Sequence, residues 1–206
     1  PIFFADRPNV QFVIEKGAWV AEGMYCIPQM QNQDSYNLEL SKVPECEVLF
    51  LHCNVDNFHA VSSDHSLNIT REQIDKLPAK LVYSGHEHHA RKVGKVFVGG
   101  VQWPTSISDV LDKKDKFAYR LTGTTLEPIK TWSKDDYAEL DWKDPQPTDA
   151  RFIRFVGTAT PDEAAQVADT IAKYRRASEA FIVGNAVKIG EDSEMEEFSV
   201  QSLEQP

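Results

Sequence analysis

The sequence has few cysteines and no long apolar run, and each shortage excludes a class of protein. Cysteine occurs only at Cys26, Cys46 and Cys53, an odd number without the CxxC spacing of a zinc site, so we expect reduced thiols. No apolar run approaches the length of a membrane span, and the first residues lack the layout of a signal peptide. These features predict a cytoplasmic protein with no membrane partner.

Positive charge is scarce as well. The 22 basic side chains are outnumbered by 32 acidic ones, which gives a formal net charge of -10. Strong phosphate binding needs clustered Lys or Arg, so the chain as a whole is not a basic nucleic-acid surface. If the protein acts on nucleic acid, its affinity must come from metal ions, from a partner, or from the small local patch of His89, Arg91, Lys92 and Lys95.

What the chain does have is the composition of a globular protein, with 41% hydrophobic and 26% charged residues over 206 positions. An apolar run over 47–52 ends at His52 and predicts a buried strand. The capping-box pattern at Thr70 predicts a short helix over 71–77, and the apolar run at 81–83 predicts the next strand. This order of elements indicates an α/β fold built on a β-α-β unit.

The rest of the chain predicts further strands and a second, smaller unit. We expect strands over 95–100, 117–121 and 125–129 to close the sheet in antiparallel order. Residues 133–149 lack periodicity and predict a linker on the surface. A second β-α-β module should follow, with a strand at 152–156, a helix at about 161–176 and strand material from 180. The acidic run at 191–197 predicts a solvated loop.

Histidines follow both strands of the first β-α-β unit. His52 ends one strand, and Gly85-His86-Glu87-His88 follows the other. Carboxyl ends of parallel strands meet at one edge of a sheet, and the small Gly85 would let the backbone approach a bound ion. Because imidazole is the commonest protein ligand of transition metals, we expect His52, His86 and His88 to form a metal site. The alternative is ordinary surface or core histidines.

These residues carry a resemblance to a known family. The spacing of His52 and Gly85-His86-Glu87-His88, followed by Val98-Gly99-Gly100 and Trp103-Pro104-Thr105, resembles the second half of calcineurin-like metallophosphoesterases. More narrowly, it is similar to the nuclease subunit of SbcCD-type recombination and repair complexes, especially the phage-encoded version. The small module near the end resembles that family's DNA-binding capping domain, and 198–203 looks like the segment after its acidic stretch.

The resemblance implies a fold, a site and partners. Residues 1–132 would be the C-terminal half of a metallophosphoesterase β-sandwich flanked by helices, 133–149 a linker and 150–206 the capping domain. His52 and His86 match ligands of the second metal, and His88 matches a ligand of the first. The implied cofactor is a two-metal Mn site that hydrolyses phosphodiesters. The implied partners are DNA and an SbcC-type ATPase subunit. His59, His65 and His89 match no ligand.

The chain also departs from the family pattern. A complete site needs an Asp-x-His, a Gly-Asp-x-x-Asp and a Gly-Asn-His before the first strand-end histidine, and the first histidine here is His52. The chain could be a fragment of a nuclease, one piece of a split nuclease whose N-terminal half is separate, or a degenerate homologue kept for binding. The competing functions are therefore a non-catalytic scaffold that engages an ATPase or a host repair protein, and a phosphoesterase with another substrate.

Overall fold

Over the residues that the structure describes, the fold is a mixed α/β arrangement of several sheets and three α-helices. The computed structural model describes residues 10–57 and 66–190. These residues divide into two compact units: the described residues up to Trp103 together with Lys116–Thr131, and Pro104–Asp115 together with the described residues from Trp132 onward. Within this described part of the chain, no helix is long and apolar enough to cross a membrane.

The described part of the first unit contains a six-stranded sheet and two helices. Its elements in chain order are β1 (Ala18–Ala21), β2 (Met24–Cys26), α1 (Gln33–Leu40), β3 (Cys46–His52), β4 (Asn54–Val55), β5 (Asn68–Ile69), α2 (Arg71–Lys76), β6 (Ala79–Gly85), β7 (Arg91–Val93), β8 (Val96–Val98), β9 (Lys116–Thr122) and β10 (Thr125–Trp132), the last of which ends at the first residue of the second unit. The strand order in the main sheet is β1-β2-β3-β6-β8-β7. The expected β-α-β unit is confirmed, because β3 and β6 pair in parallel on either side of α2.

The two faces of this sheet are covered differently. Helices α1 and α2 bring Tyr36 and Ile74 into an apolar core with Leu49, Val82 and Val96 of the sheet. Aromatic side chains occupy the other face. Tyr83 contacts Phe50 and Phe97, and Tyr119 of β9 packs edge-on against Phe97 with ring centroids 4.8 Å apart.

The expected antiparallel closure of the sheet is wrong. Strand β8 joins the sheet in parallel with β6, because β7 and β8 form a hairpin around Gly94, whose φ of +58° suits that turn. Strands β9 and β10 pair with each other around Gly123 as a separate two-stranded sheet. The aromatic side chains of β9 therefore pack on the sheet's face and do not extend its edge.

The second unit is built on a three-stranded parallel sheet. Its elements are β11 (Tyr137–Asp141), β12 (Phe152–Val156), β13 (Thr158–Ala159), α3 (Ala164–Ala177), β14 (Ile182–Asn185) and β15 (Lys188–Ile189), with short 3-10 turns at Ile107–Asp109, Lys134–Asp136 and Pro161–Glu163. The strand order is β11-β12-β14. Ile153 and Phe155 pack with Val167 and Ile171 of α3, and Phe152 packs on the other side with Trp132.

The second β-α-β module is confirmed, but it extends further than predicted. Strands β12 and β14 are parallel and flank α3. The 3-10 turn Pro161–Glu163 leads into α3, and Glu163 closes that turn by accepting the Thr160 N–H at 2.9 Å. The predicted linker 133–149 contains β11, which pairs in parallel with β12 over five residue pairs. Its buried residues Tyr137 and Leu140 lie on opposite faces of the strand and join different apolar clusters, so β11 shows no simple alternation that sequence reasoning could find among the Asp, Lys, Trp and Pro residues. The acidic run and the segment 198–203 lie outside the described residues.

Candidate metal centre

The edge of the main sheet brings two of the predicted ligands together. Strands β3 and β6 pair in parallel register, with His52 opposite Gly85, so both strands end at the same place. His86 follows directly after β6. The ring centroids of His52 and His86 lie 5.2 Å apart, and the ring planes are at 79°. The expectation that these strand ends converge is therefore realised for this pair.

Gly85 makes room for the His52 ring. A Cβ atom at position 85 would lie 3.0 Å from Nδ1 of His52, which is tighter than an ordinary van der Waals contact. The sequence suggested that this glycine lets the backbone approach an ion. The structure gives it another role, since the absent side chain allows one imidazole to rest against the neighbouring strand.

His86 is held in an unusual backbone conformation. Its φ is 80°, in the left-handed region that non-glycine residues rarely adopt. Such a conformation persists only when surrounding contacts impose it, and it is concentrated at functional sites. Asp56, shortly after His52, is also left-handed, with a φ of 50°.

The remaining histidines are placed less centrally. His88 lies in the loop after β6 with an exposed side chain, and its carbonyl oxygen accepts the Val101 N–H at 3.0 Å. His89 is exposed in the same loop. His59 and His65 lie outside the described residues.

The local environment favours a neutral His52. His52 is exposed by surface area, but partial desolvation of its ring lowers its pKa below the ordinary histidine value, and the neighbouring His86 lowers it further. Because the neutral imidazole is the form that donates a lone pair to a metal, this shift keeps His52 available as a ligand at neutral pH.

Glu87, between the two motif histidines, has its own partners. Its carboxylate accepts the Val55 N–H at 2.7 Å, and Arg91 donates to both of its oxygens at 2.7 Å. Burial alone would raise the pKa of Glu87, but the hydrogen bonds from Arg91 and Val55 outweigh it, and the pKa is lowered. Sequence reasoning missed this arrangement. The only signal was the four-residue spacing of Glu87 and Arg91.

The basic patch predicted near the motif is partly used inside the fold. Arg91 binds Glu87 and the carbonyl oxygen of Val55, and Lys95 donates to the carbonyl oxygen of Leu77. These two cations therefore have protein partners in place of solvent, and the patch is weaker as a phosphate-binding surface than its sequence suggested.

A buried thiol lies next to the pair in sequence. Cys53 is 1% exposed, and its Sγ accepts a hydrogen bond from the Tyr36 hydroxyl at 2.9 Å. Burial raises the pKa of Cys53 to about 11. The buried Ser84 hydroxyl donates to the Cys53 carbonyl oxygen at 3.0 Å, which ties the end of β6 to the residue after β3.

The separation of the two rings is one that two ligands of a transition-metal ion can have. With metal–nitrogen distances of about 2.1 Å, two imidazoles on one ion have ring centres roughly 5 Å apart, and those of His52 and His86 are 5.2 Å apart. Among residues 10–57 and 66–190, no group of three or more His, Cys, Asp or Glu side chains is arranged to hold a metal ion. An ion at this pair would take its other ligands from outside that set or from solvent.

No model of a known protein family matches the chain, and no curated protein sequence matches it.

Proposed function

We propose that this chain is part of a metal-dependent phosphodiesterase of the calcineurin-like class, and more narrowly of a DNA nuclease acting in recombination or repair. The observation that supports the proposal is the pair of imidazoles, His52 and His86, at the carboxyl ends of adjacent parallel strands. α/β enzymes bind their ligands outside the carboxyl ends of the parallel strands.

In this proposal His52 and His86 hold one ion and His88 contributes to another, with Mn as the metal. Bound ions of this kind polarise a phosphodiester and lower the pKa of a coordinated water. The protein's own part is to present neutral imidazoles at a fixed spacing. His52 does so because burial and His86 lower its pKa. The missing acidic ligands would come from a separate N-terminal half, and an SbcC-type ATPase and DNA would be the partners.

The first test is metal binding by the chain itself. Calorimetric titration with MnCl2 should show binding that weakens about tenfold or more in His52→Ala and in His86→Ala, since each variant removes one of two donors. His89→Ala is the matched control, because that histidine lies in the same loop and has no ligand role. Absence of Mn(II) binding both by the wild-type chain alone and by the chain together with the polypeptide that supplies the missing ligands would contradict the proposal.

The second test is hydrolysis. Together with the polypeptide that supplies the missing ligands, the chain should cleave DNA only in the presence of Mn(II), and His88→Ala should abolish turnover while leaving the fold intact. Full activity in that variant would exclude the two-metal assignment. Cleavage of a nucleotide monoester with none of DNA would indicate a different substrate class, and specific capture of a protein partner without any metal binding would support the scaffold alternative.

A further inference from the structure

We propose that Glu87 and Arg91 form a clamp that positions His86 against His52. The inference rests on the proposed function, since it concerns how the metal-binding pair is held. Neither residue is assigned as a ligand. Both would act through the backbone that carries His86.

The first argument is the backbone of His86. Its φ of 80° lies in the left-handed region, which the β-carbon of a non-glycine residue disfavours. The side chain of His86 is only half-buried, so its own packing is limited. Contacts of the adjoining chain can hold such a conformation, and the next residue, Glu87, makes them.

The second argument is that the clamp provides hydrogen-bond partners for both main-chain polar groups of Val55. Glu87 accepts the N–H of Val55, and Arg91 donates to its carbonyl oxygen. Val55 is fully buried, so neither group can turn to water instead. Strand β5 pairs with one side of β4. On the other side, the two side chains take the place of a second neighbouring strand, and breaking either contact would leave a buried main-chain group without a hydrogen bond.

The third argument is where the clamp lies relative to the pair. His52 and Gly85 are register partners at the ends of β3 and β6. Three residues after His52 is Val55, and two residues after Gly85 is Glu87. The two chain segments are therefore tied together on both sides of His86, at the register pair and at the clamp. His86 has little freedom to move away from His52.

The fourth argument is exposure. The side chain of Glu87 is 12% exposed and that of Arg91 is 37% exposed, whereas the Glu72–Lys76 pair on α2 has the same i, i+4 spacing and is 80% and 72% exposed. A shielded pair with two parallel contacts holds its geometry far better than a solvated one. The Glu72–Lys76 pair is therefore a matched control that should have no effect on the positions of the histidines.

The test compares Glu87→Gln with Glu72→Gln. Glu87→Gln should weaken Mn(II) binding about tenfold, the low end of the effect of residues that orient metal ligands. In the metal-free protein, the NMR chemical shifts of the His52 and His86 ring protons should move toward those of isolated imidazoles, because the edge-on contact between the two rings loosens. Glu72→Gln should change neither quantity. Arg91→Lys keeps the charge but loses the two-pronged contact, and it should show an intermediate effect even if Glu87→Gln folds poorly.

The outcomes separate the two proposals. If the wild-type chain binds Mn(II) and Glu87→Gln binds it equally well, the clamp is overturned and the metal site stands. If the wild-type chain binds no Mn(II), either alone or with the polypeptide that supplies the missing ligands, the proposed function fails, and the clamp fails with it as a device for positioning ligands. Weaker binding together with shifted histidine resonances supports both.

Discussion

The two units use the same kind of parallel sheet for different ends. In the first unit, β3 ends at His52 and β6 is followed by His86, and the two rings are 5.2 Å apart. The backbone of His86 is left-handed. In the second, β12 and β14 are paired in the same parallel manner, yet residues 90–206 contain neither histidine nor cysteine. The comparison shows that the β-α-β framework does not define chemistry. The side chains placed after the strands do.

The polar networks of the two units differ in the same way. In the first unit Glu87 ties a loop to the main chain of Val55 beyond the end of a strand. In the second, Glu139 lies on β11 itself, where it accepts the Tyr137 hydroxyl at 2.8 Å and pairs with Lys113 at 3.1 Å. One network holds a loop against the main chain of a neighbouring segment, and the other lies along a strand.

The largest effect should come from the apolar core of the second unit. Phe155 is fully buried in the layer between the sheet and α3, and its ring meets Tyr174 edge-on at 5.4 Å. Phe155→Ala should lower the free energy of unfolding by about 3–5 kcal/mol because it leaves a cavity. Urea denaturation followed by circular dichroism measures the loss. A cost below 1 kcal/mol would contradict the view that this unit is organised by packing.

A smaller effect should come from the glycines of the first unit. Gly100 has a φ of +71°, and a Cβ there would lie 2.8 Å from the Ala90 nitrogen in the loop that follows His88. Gly123 has a similar φ of +57° with nothing within 4 Å. Both Gly→Ala changes carry the left-handed cost of about 1–2 kcal/mol, but only Gly100→Ala adds a clash of roughly 1–3 kcal/mol.

Thermal unfolding of Gly100→Ala and Gly123→Ala separates these two costs. The difference between the two losses in melting temperature measures the cost of the steric clash between position 100 and Ala90. Equal melting temperatures would show that the loop yields without penalty, which would weaken the contrast between a constrained site and an ordinary turn.

The smallest effect concerns pH and the second unit's network. Burial and the hydrogen bond to Glu139 raise the pKa of Tyr137 to about 12. Because the folded pKa exceeds the unfolded value near 10, the stabilisation is complete below pH 10 and is lost as pH rises toward 12. Tyr137→Phe should cost about 1 kcal/mol at neutral pH and flatten this alkaline decline. Denaturation series at pH 8 to 11.5 measure it, and identical slopes for both proteins would refute the assignment.

The sequence predicted the parts of the fold that depend on local signals. The apolar run ending at His52 and the capping box at Thr70 are local, and both elements form within one or two residues of the expected bounds. The convergence of His52 and His86 followed from a general rule about parallel strands. Each of these predictions needed no knowledge of distant residues.

The parts that sequence reasoning missed depend on long-range pairing. Glu87 is 32 positions from Val55, and nothing near either residue in sequence indicates the contact. Strand β11 forms because β12 offers it an edge, although its surroundings read as a linker. Whether β8 adds to β6 in parallel or antiparallel order is likewise decided by the whole sheet, and no motif at 96–98 encodes it.

The Tyr36–Cys53 contact keeps the Cys53 thiol away from metal ions and oxidants. Metals and oxidants both attack the thiolate, and a thiol whose pKa is about 11 remains protonated at physiological pH. Although Cys53 directly follows His52, its side chain is buried in the apolar core of the first unit. A ligand that approaches this end of the sheet therefore meets the exposed His52 ring and not the neighbouring sulfur.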